Sequence, residues 1–203
     1  MTWRIPIARL APLPADTAPD LQDAFAVYRK ALGFVPNSVL IMQRRPKLVK
    51  ALSGLVAAVM DPEGGVTPGF KRLVAHVASR AHGCQYCMAH TAGGALRSGI
   101  AEEKVAAIWE YRTSPLYSQA ERVAIDVAVA AASVPNAVSD EMFQELRAHW
   151  SDEQVVEIIA AVALFGFLNR WNDTLATPLE KEALEVGQRL LARRGWRAGK
   201  HRR

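Results

Sequence analysis

The chain is organised around the stretch GCQYCMAHT, residues 83–91, which contains both cysteines of the 203 residues. Cys84 and Cys87 are three positions apart, and His90 follows about one helical turn later. This spacing allows one thiol to attack a substrate and the other to resolve the product, while a nearby imidazole moves the proton that thiolate chemistry requires. The stretch therefore predicts a redox site with Cys84, Cys87 and His90 as its catalytic residues.

The two cysteines are predicted to lie where a helix begins. Thr67 is a suitable N-cap for the helix that leads to the site, Gly83 interrupts that helix, and a new helix starts at Cys84 and stops at Gly99. In a regular helix the Cβ atoms of residues i and i+3 are about 5 to 6 Å apart, whereas a disulfide needs roughly 3.5 to 4.5 Å. The pair therefore closes most easily with Cys84 at the helix start, where the helix N-terminus also favours a thiolate.

Helical patterns recur through the rest of the chain. Ser118 and Ser151 each open a capping box, and the helix after Ser151 is apolar nearly all round, which is typical of a bundle centre or a subunit interface. No stretch shows convincing strand alternation. The sequence predicts an all-α, multi-helix bundle with the Cys-x-x-Cys pair at the start of a central helix. Helices are predicted over residues 20–32, 37–45, 101–111, 118–133, 139–150 and 155–176, and another begins at residue 46.

The composition predicts one compact domain, because the chain is 50% hydrophobic and only 22% charged. We expect a single helical domain over residues 1–180, with the proline-rich residues 1–19 as an extended N-terminal arm. No apolar run approaches the roughly 20 residues that cross a bilayer, and the first ten residues lack the apolar region of a signal peptide. We therefore expect a cytoplasmic protein with no membrane contact. In that reducing compartment a close cysteine pair is more often catalytic, redox-sensing or metal-binding than structural.

Residues 180–203 contain eight basic residues and three acids, so they account for the formal net charge of +5, and we expect a basic C-terminal segment over residues 181–203. We interpret this segment as a solvated basic tail. It carries a single aromatic residue, Trp196, and no binding motif, so we expect no nucleic-acid partner. Its basic residues are Lys181, Arg189, Arg193, Arg194, Arg197, Lys200, Arg202 and Arg203.

The cysteine stretch carries a resemblance to a known family. The residues GCQYCMAH at 83–90 resemble the alkylhydroperoxidase D and carboxymuconolactone decarboxylase superfamily, and LGFVPN at 32–37 and LFGFLNRWN at 164–172 are similar to its longer peroxidase-related members. The resemblance implies an all-helical homo-oligomer that reduces peroxides or disulfides through its thiols. It implies that Cys87 attacks the peroxide and that Cys84 resolves the product. The implied partners are a small-molecule peroxide and a thiol or protein reductant, and no cofactor is expected.

The proton-relay positions of that family do not match. Its relay glutamate falls at Arg72 and its relay histidine at Thr91, with His90 one residue away. Either His90 substitutes for the relay, or this chain has lost efficient peroxidase chemistry.

Other classes of function stay open. A decarboxylase-like lyase needs acid and base groups and not a dithiol, whereas a non-enzymatic redox sensor or oligomeric scaffold would explain the missing relay. The two cysteines also fit as buried apolar side chains. A zinc site is not expected, because four ligands from nine consecutive residues, His82, Cys84, Cys87 and His90, rarely surround a tetrahedral ion.

Overall fold

The computed structural model describes residues 8–202, and all regular structure in that range is helical. The prediction of an all-α bundle is confirmed. Residues 1–7 of the predicted N-terminal arm lie outside the described residues, and residues 8–18 are irregular, with the Arg9 N–H bonded to the Leu175 carbonyl at 3.1 Å. The helices are α1 (Gln22–Leu32), α2 (Asn37–Met42), α3 (Pro46–Val59), α4 (Pro68–Ala81), α5 (Gln85–Arg97), α6 (Glu102–Ala106), α7 (Gln119–Ala131), α8 (Asp140–His149), α9 (Asp152–Leu175) and α10 (Lys181–Val186).

A sharp corner between α4 and α5 presents the cysteines. The Thr67 hydroxyl accepts the Phe70 N–H at the start of α4, and the chain leaves α4 through Gly83, whose φ of +74° is in the left-handed region that glycine adopts readily. Cys84 is then the N-cap of α5, and its sulfur accepts the Cys87 N–H at 3.4 Å. The cysteine pair therefore begins the helix, as predicted, with Cys84 just outside the first turn.

The centre of the bundle consists of α4 and α5, packed against α7 and α9. The predicted capping box at Ser151 opens α9, since its hydroxyl accepts the Gln154 N–H and the Gln154 side chain accepts the Ser151 N–H. By length and composition α9 is apolar enough to cross a membrane, but it packs here against α3, α4, α5 and α7. It buries Ile158, Ala161 and Phe165, and it anchors one wall of the site described below.

A buried ion pair joins α4 to α9. The Lys71 ammonium is 1% exposed, contacts the Glu157 carboxylate at 2.5 Å and donates to the Asp61 carbonyl at 3.2 Å. Glu157 also accepts the N–H groups of Gly65 and Val66 at 2.7 and 3.3 Å. Lys71 and Glu157 therefore fix the loop before α4 to the long helix α9.

The predicted helix over 101–111 is shorter in the structure. After α6 the chain continues as a 3₁₀ turn, Ile108–Glu110, and then leaves the helical path. Trp109 stacks under the Arg80 guanidinium of α4, while the Tyr111 hydroxyl donates to Asp126 of α7 at 2.5 Å. Side-chain contacts with two different helices therefore accompany the departure from regular α-helix.

The basic C-terminal segment folds onto α5. After α10 it forms a π-helical turn (Gly187–Leu191) and two 3₁₀ turns (Ala192–Arg194 and Gly199–His201). The Trp196 indole N–H donates to the Gln85 carbonyl at 3.1 Å. Three of the basic side chains pair with acids of the helical body, in the pairs Arg189–Glu102, Arg194–Glu110 and Lys200–Asp173. The charge that composition assigned to a tail is therefore partly compensated within the chain.

Candidate active site

A cavity of about 100 Å³ lies among α1, α2, α3, α4, α5 and α9, beside the cysteine corner. One buried water needs roughly 10 to 15 Å³ of such volume, so the cavity has room for a small organic molecule. Its polar wall includes Cys87, His90, Asn172, Arg72 and Arg97. Its apolar wall includes Leu32, Val39, Leu52, Val56, Leu164, Phe165 and Leu168.

The two thiols differ in their access to this cavity. Cys87 is part of the wall and is 2% exposed, whereas Cys84 is 0% exposed and does not line the cavity. Both are free thiols, and the Asn172 side-chain N–H group is 3.5 Å from the Cys87 sulfur. A molecule in the cavity therefore meets Cys87 first, with Cys84 behind it.

The Cys87 thiol is buried strongly enough to affect its ionisation. Burial raises the pKa of Cys87 well above its ordinary value, and the adjacent Cys84 raises it further, while the Asn172 amide works in the opposite direction. Burial thus outweighs the stabilisation of a thiolate by the helix N-terminus, which was expected from the sequence. Because the thiol is neutral at pH 7, its chemistry requires a nearby proton acceptor.

His90 lines the same cavity and is held by a carboxylate. Its Nε2 is 2.7 Å from the Glu180 carboxylate, and its ring stacks on Tyr86 with centroids 4.2 Å apart. A carboxylate oxygen can only accept, so in the neutral ring Nε2 carries the proton and Nδ1 keeps the lone pair. His90 therefore has the orientation and the electronic support of a general base.

Glu180 is a buried residue with several hydrogen-bond partners, and the sequence did not indicate its part in the site. Besides His90, its carboxylate accepts the Tyr86 hydroxyl at 2.9 Å and the Asn37 N–H at 2.5 Å. Burial acts to raise the pKa of Glu180, but the His90 ring and the Asn37 N–H outweigh it, and the pKa lies below its ordinary value. The carboxylate is therefore ionised and able to stabilise a protonated His90.

A second carboxylate and imidazole lie beside Cys84. The Cys84 sulfur, an Asp173 carboxylate oxygen and a His201 ring nitrogen are all within 4.8 Å of one another. The His201 Nδ1 is 2.8 Å from the Thr177 carbonyl, which can only accept, so Nε2 is left as the lone-pair nitrogen, 3.6 Å from Asp173. Burial lowers the pKa of His201, which keeps the ring neutral at pH 7.

The same three residues offer sulfur, nitrogen and oxygen donors of the types that bind zinc. However, the Lys200 ammonium contacts the Asp173 carboxylate at 2.7 Å. A cation at that position disfavours a divalent ion, and we interpret the group as a proton-transfer site.

The family's relay positions have other roles in this chain. The Thr91 hydroxyl donates to the Cys87 carbonyl at 2.7 Å and contacts His76 at 2.9 Å. Burial lowers the pKa of His76 to about 4, which makes it a neutral structural residue. His82 contacts the Ala78 carbonyl at 3.0 Å, within its own helix turn. Of the nearby histidines, His90 is the one that lines the cavity.

Comparison with known proteins identifies the family of the chain. Residues 46–130 match the carboxymuconolactone decarboxylase family. The protein YnjA of Escherichia coli (strain K12) is 25% identical over 154 residues, which cover 76% of this chain and 85% of that protein.

Solved structures with similar folds include a debrominase. The debrominase Bmp8 without ligand is 34% identical, with a TM-score of 0.83 over 89% of this chain and 97% of that one. A cysteine-to-alanine variant of Bmp8 in complex with 2,3,4-tribromopyrrole is 33% identical, with a TM-score of 0.84 over 89% and 96%. A peroxidase-related protein with an alkylhydroperoxidase D core from Ralstonia eutropha JMP134 is 24% identical, with a TM-score of 0.76 over 88% and 95%, and shares the fold.

Proposed function

We propose that this chain, which belongs to the alkylhydroperoxidase D and carboxymuconolactone decarboxylase superfamily, is a thiol-dependent oxidoreductase. In this proposal it reduces peroxides through Cys84 and Cys87. The observation that carries the proposal is the asymmetry of the two thiols, since Cys87 lines an apolar cavity and Cys84 lies behind it. The partners in this proposal are a small-molecule peroxide, a thiol or protein reductant, and further copies of the chain.

The first step oxidises Cys87. Its thiol gives a proton to His90, and its sulfur bonds to the terminal oxygen of the hydroperoxide. The oxygen–oxygen bond breaks, and the departing alkoxide takes up the proton from His90 to become an alcohol. Cys87 is left as a sulfenic acid, and Glu180 stabilises the charged His90 while the proton is held there.

The second step forms the disulfide. Cys84 gives its proton to His201, and the Cys84 sulfur then attacks the Cys87 sulfur and displaces hydroxide from it. The hydroxide takes the proton from His201 and leaves as water. An external thiol reductant then supplies two electrons and two protons to restore both thiols. Asp173 stabilises the charged His201 in this step, as Glu180 does for His90.

A second candidate function is reductive removal of a halogen from a small aromatic ring. The likeness to Bmp8 and the apolar cavity beside Cys87 favour it. In this reaction the Cys87 sulfur takes the bromine, the ring carbon takes a proton, and Cys84 displaces bromide to give the same disulfide. The two functions therefore share the dithiol and differ in the oxidant.

The test uses the purified, reduced protein. We expect one equivalent of cumene hydroperoxide to consume both thiols and to produce an intramolecular disulfide, measured by thiol titration and intact mass. A parallel sample receives 2,3,4-tribromopyrrole, and free bromide is measured. Disulfide formation with the bromopyrrole alone would replace peroxidase with the second function. Two thiols that stay reduced with both oxidants would contradict both functions and leave a structural role for the pair.

The His90–Glu180 pair is expected to set the rate of the first step. Glu180→Gln keeps the shape of the side chain but removes its charge, so the rate of Cys87 oxidation at pH 7 should fall by about tenfold. His90→Gln should lower the same rate by about a hundredfold, within the usual range for the loss of a general base. Stopped-flow measurement of peroxide consumption between pH 6 and pH 10 checks this. Both deficits should shrink at high pH, where hydroxide ionises the thiol.

Glu182→Gln is the matched control for the charge change, because Glu182 is exposed in the first turn of α10, two residues after Glu180. It should leave the rate within about twofold. A Glu180→Gln deficit that is constant at every pH would show that Glu180 supports the fold and not the proton transfer.

A further inference from the structure

Two arginines line the largely apolar cavity beside Cys87. Arg72 of α4 is half-buried, and Arg97 at the end of α5 is exposed. The same two side chains line a surface cleft of about 210 Å³ next to Ala31, Met60 and Ser98. The guanidinium groups therefore lie between the protein surface and the cavity that contains Cys87.

Neither guanidinium group makes a side-chain hydrogen bond or an ion pair within residues 8–202, the range that the structure describes. Other arginines do pair, such as Arg147 with Asp152 at 2.9 Å. Burial, followed by the nearby positive charge of Arg97, lowers the pKa of Arg72 to about 10. Two like charges close together, one of them half-buried, are unfavourable unless an anion compensates them.

Two glycines in the middle of α5 make room for these side chains. A Cβ added at Gly94 would lie 3.0 Å from the Arg72 Cδ, and one at Gly93 would lie 3.3 Å from a terminal nitrogen of Arg97. Glycine inside a helix costs roughly 0.5 to 1 kcal/mol relative to alanine. The sequence therefore carries a helix penalty at the two positions that border the arginines.

We propose that Arg72 and Arg97 bind the anionic group of the substrate, a carboxylate, while its apolar body fills the cavity and its reactive atom meets Cys87. The guanidinium group matches a carboxylate with two parallel hydrogen bonds, and the apolar wall matches a short hydrocarbon or a ring. The inference rests on the proposed function only in taking Cys87 as the thiol that meets the substrate. It assigns the substrate class, a small apolar acid, which the proposed function leaves open.

The test compares two reagents that attack the same sulfur. Iodoacetate carries a carboxylate and iodoacetamide is its neutral counterpart, and Cys84→Ser makes Cys87 the single reacting thiol. We expect the ratio of the two alkylation rates, iodoacetate over iodoacetamide, to fall about tenfold on adding Arg72→Gln and Arg97→Gln, as the loss of a charge-assisted hydrogen bond implies. Any change in the ionisation of Cys87 affects both reagents alike and cancels in the ratio.

Arg147→Gln is the control for net charge, because Arg147 is exposed on α8. It should leave the ratio unchanged. Arg97→Gln alone, at an exposed helix end, should lower the ratio about threefold and keeps the test decisive if the double variant does not fold. A ratio within twofold of the parent in every arginine variant would overturn the inference.

The outcome is separable from that of the proposed function. Alkylation requires no redox turnover, so an arginine-dependent ratio supports the anion site even if no peroxide is consumed. Conversely, disulfide formation with cumene hydroperoxide together with an arginine-independent ratio would remove the anion site and leave the proposed function intact.

Discussion

Cys87→Ser is expected to abolish peroxide consumption, with a loss of at least about a thousandfold, as is usual when a nucleophile is removed. The hydroxyl that replaces the thiol cannot accept the peroxide oxygen, and Cys84 does not line the cavity to act in its place. The measurement is turnover of cumene hydroperoxide with dithiothreitol as reductant. Full turnover by this variant with any thiol or protein reductant would contradict the mechanism.

Cys84→Ser is the matched comparison, and we expect the opposite pattern. The first step should remain, because Cys87 and His90 still line the cavity. The protein should consume about one equivalent of peroxide quickly and then stop at a Cys87 sulfenic acid, which dimedone traps and intact mass detects. If Cys84→Ser lost the first step while Cys87→Ser kept it, the roles of the two cysteines would be reversed.

Most of the helices could be predicted from the sequence because their termini are marked locally. Thr67 and Ser151 cap helices within three residues of themselves, and Gly83 marks the break before the cysteines. Such signals act over one helical turn and need no knowledge of the rest of the fold. The resemblance of residues 83–90 then supplied the family.

The carboxylates of the site could not be predicted in this way. Glu180 contacts His90 across 90 positions of sequence, and His201 reaches the Cys84 side from a segment interpreted as a solvated tail. Neither residue belongs to a periodic pattern or a spaced motif, because each is positioned by tertiary packing and not by its own helix. Arg72 was the available clue, since an arginine at the position of the family's relay glutamate indicated either a substitute such as His90 or a loss of efficient peroxidase chemistry.

Lys71 shows the same limit in the core. The apolar pattern of α4 includes Phe70, Leu73 and Val74, and a lysine between them would be expected on the surface. Instead its ammonium is buried and held by Glu157 and the Asp61 carbonyl. The partner is 86 positions away, so only the assembled bundle reveals the pair.

Glu157→Gln is expected to lower the free energy of unfolding by about 3 kcal/mol, near the lower limit for breaking a buried ion pair by removing one partner. The variant leaves the Lys71 charge buried at 1% exposure, whereas Glu157 itself retains 21% exposure. Urea unfolding at a fixed protein concentration, followed by circular dichroism, measures the change. Glu63→Gln, an exposed substitution in the loop before α4, should change stability by no more than about 0.5 kcal/mol.

Removing the other partner should be milder, and this asymmetry tests the physical account. In Lys71→Met the Glu157 carboxylate keeps its hydrogen bonds from the Gly65 and Val66 N–H groups and some contact with solvent, and the buried position gains an apolar side chain. We therefore expect the free energy of unfolding to fall by about 1 kcal/mol.

The pH dependence of stability follows from the same contacts of Glu157. Burial acts to raise the pKa of Glu157, but Lys71 and the two N–H groups outweigh it, so the pKa lies below its ordinary value. The contribution of the carboxylate is therefore present above the unfolded pKa and is lost as the pH falls through the folded one. The difference in unfolding free energy between the parent chain and Glu157→Gln should accordingly be full at pH 7 and shrink below about pH 4. Equal losses of stability for Lys71→Met and Glu157→Gln would show that the buried ammonium is not the source of the effect.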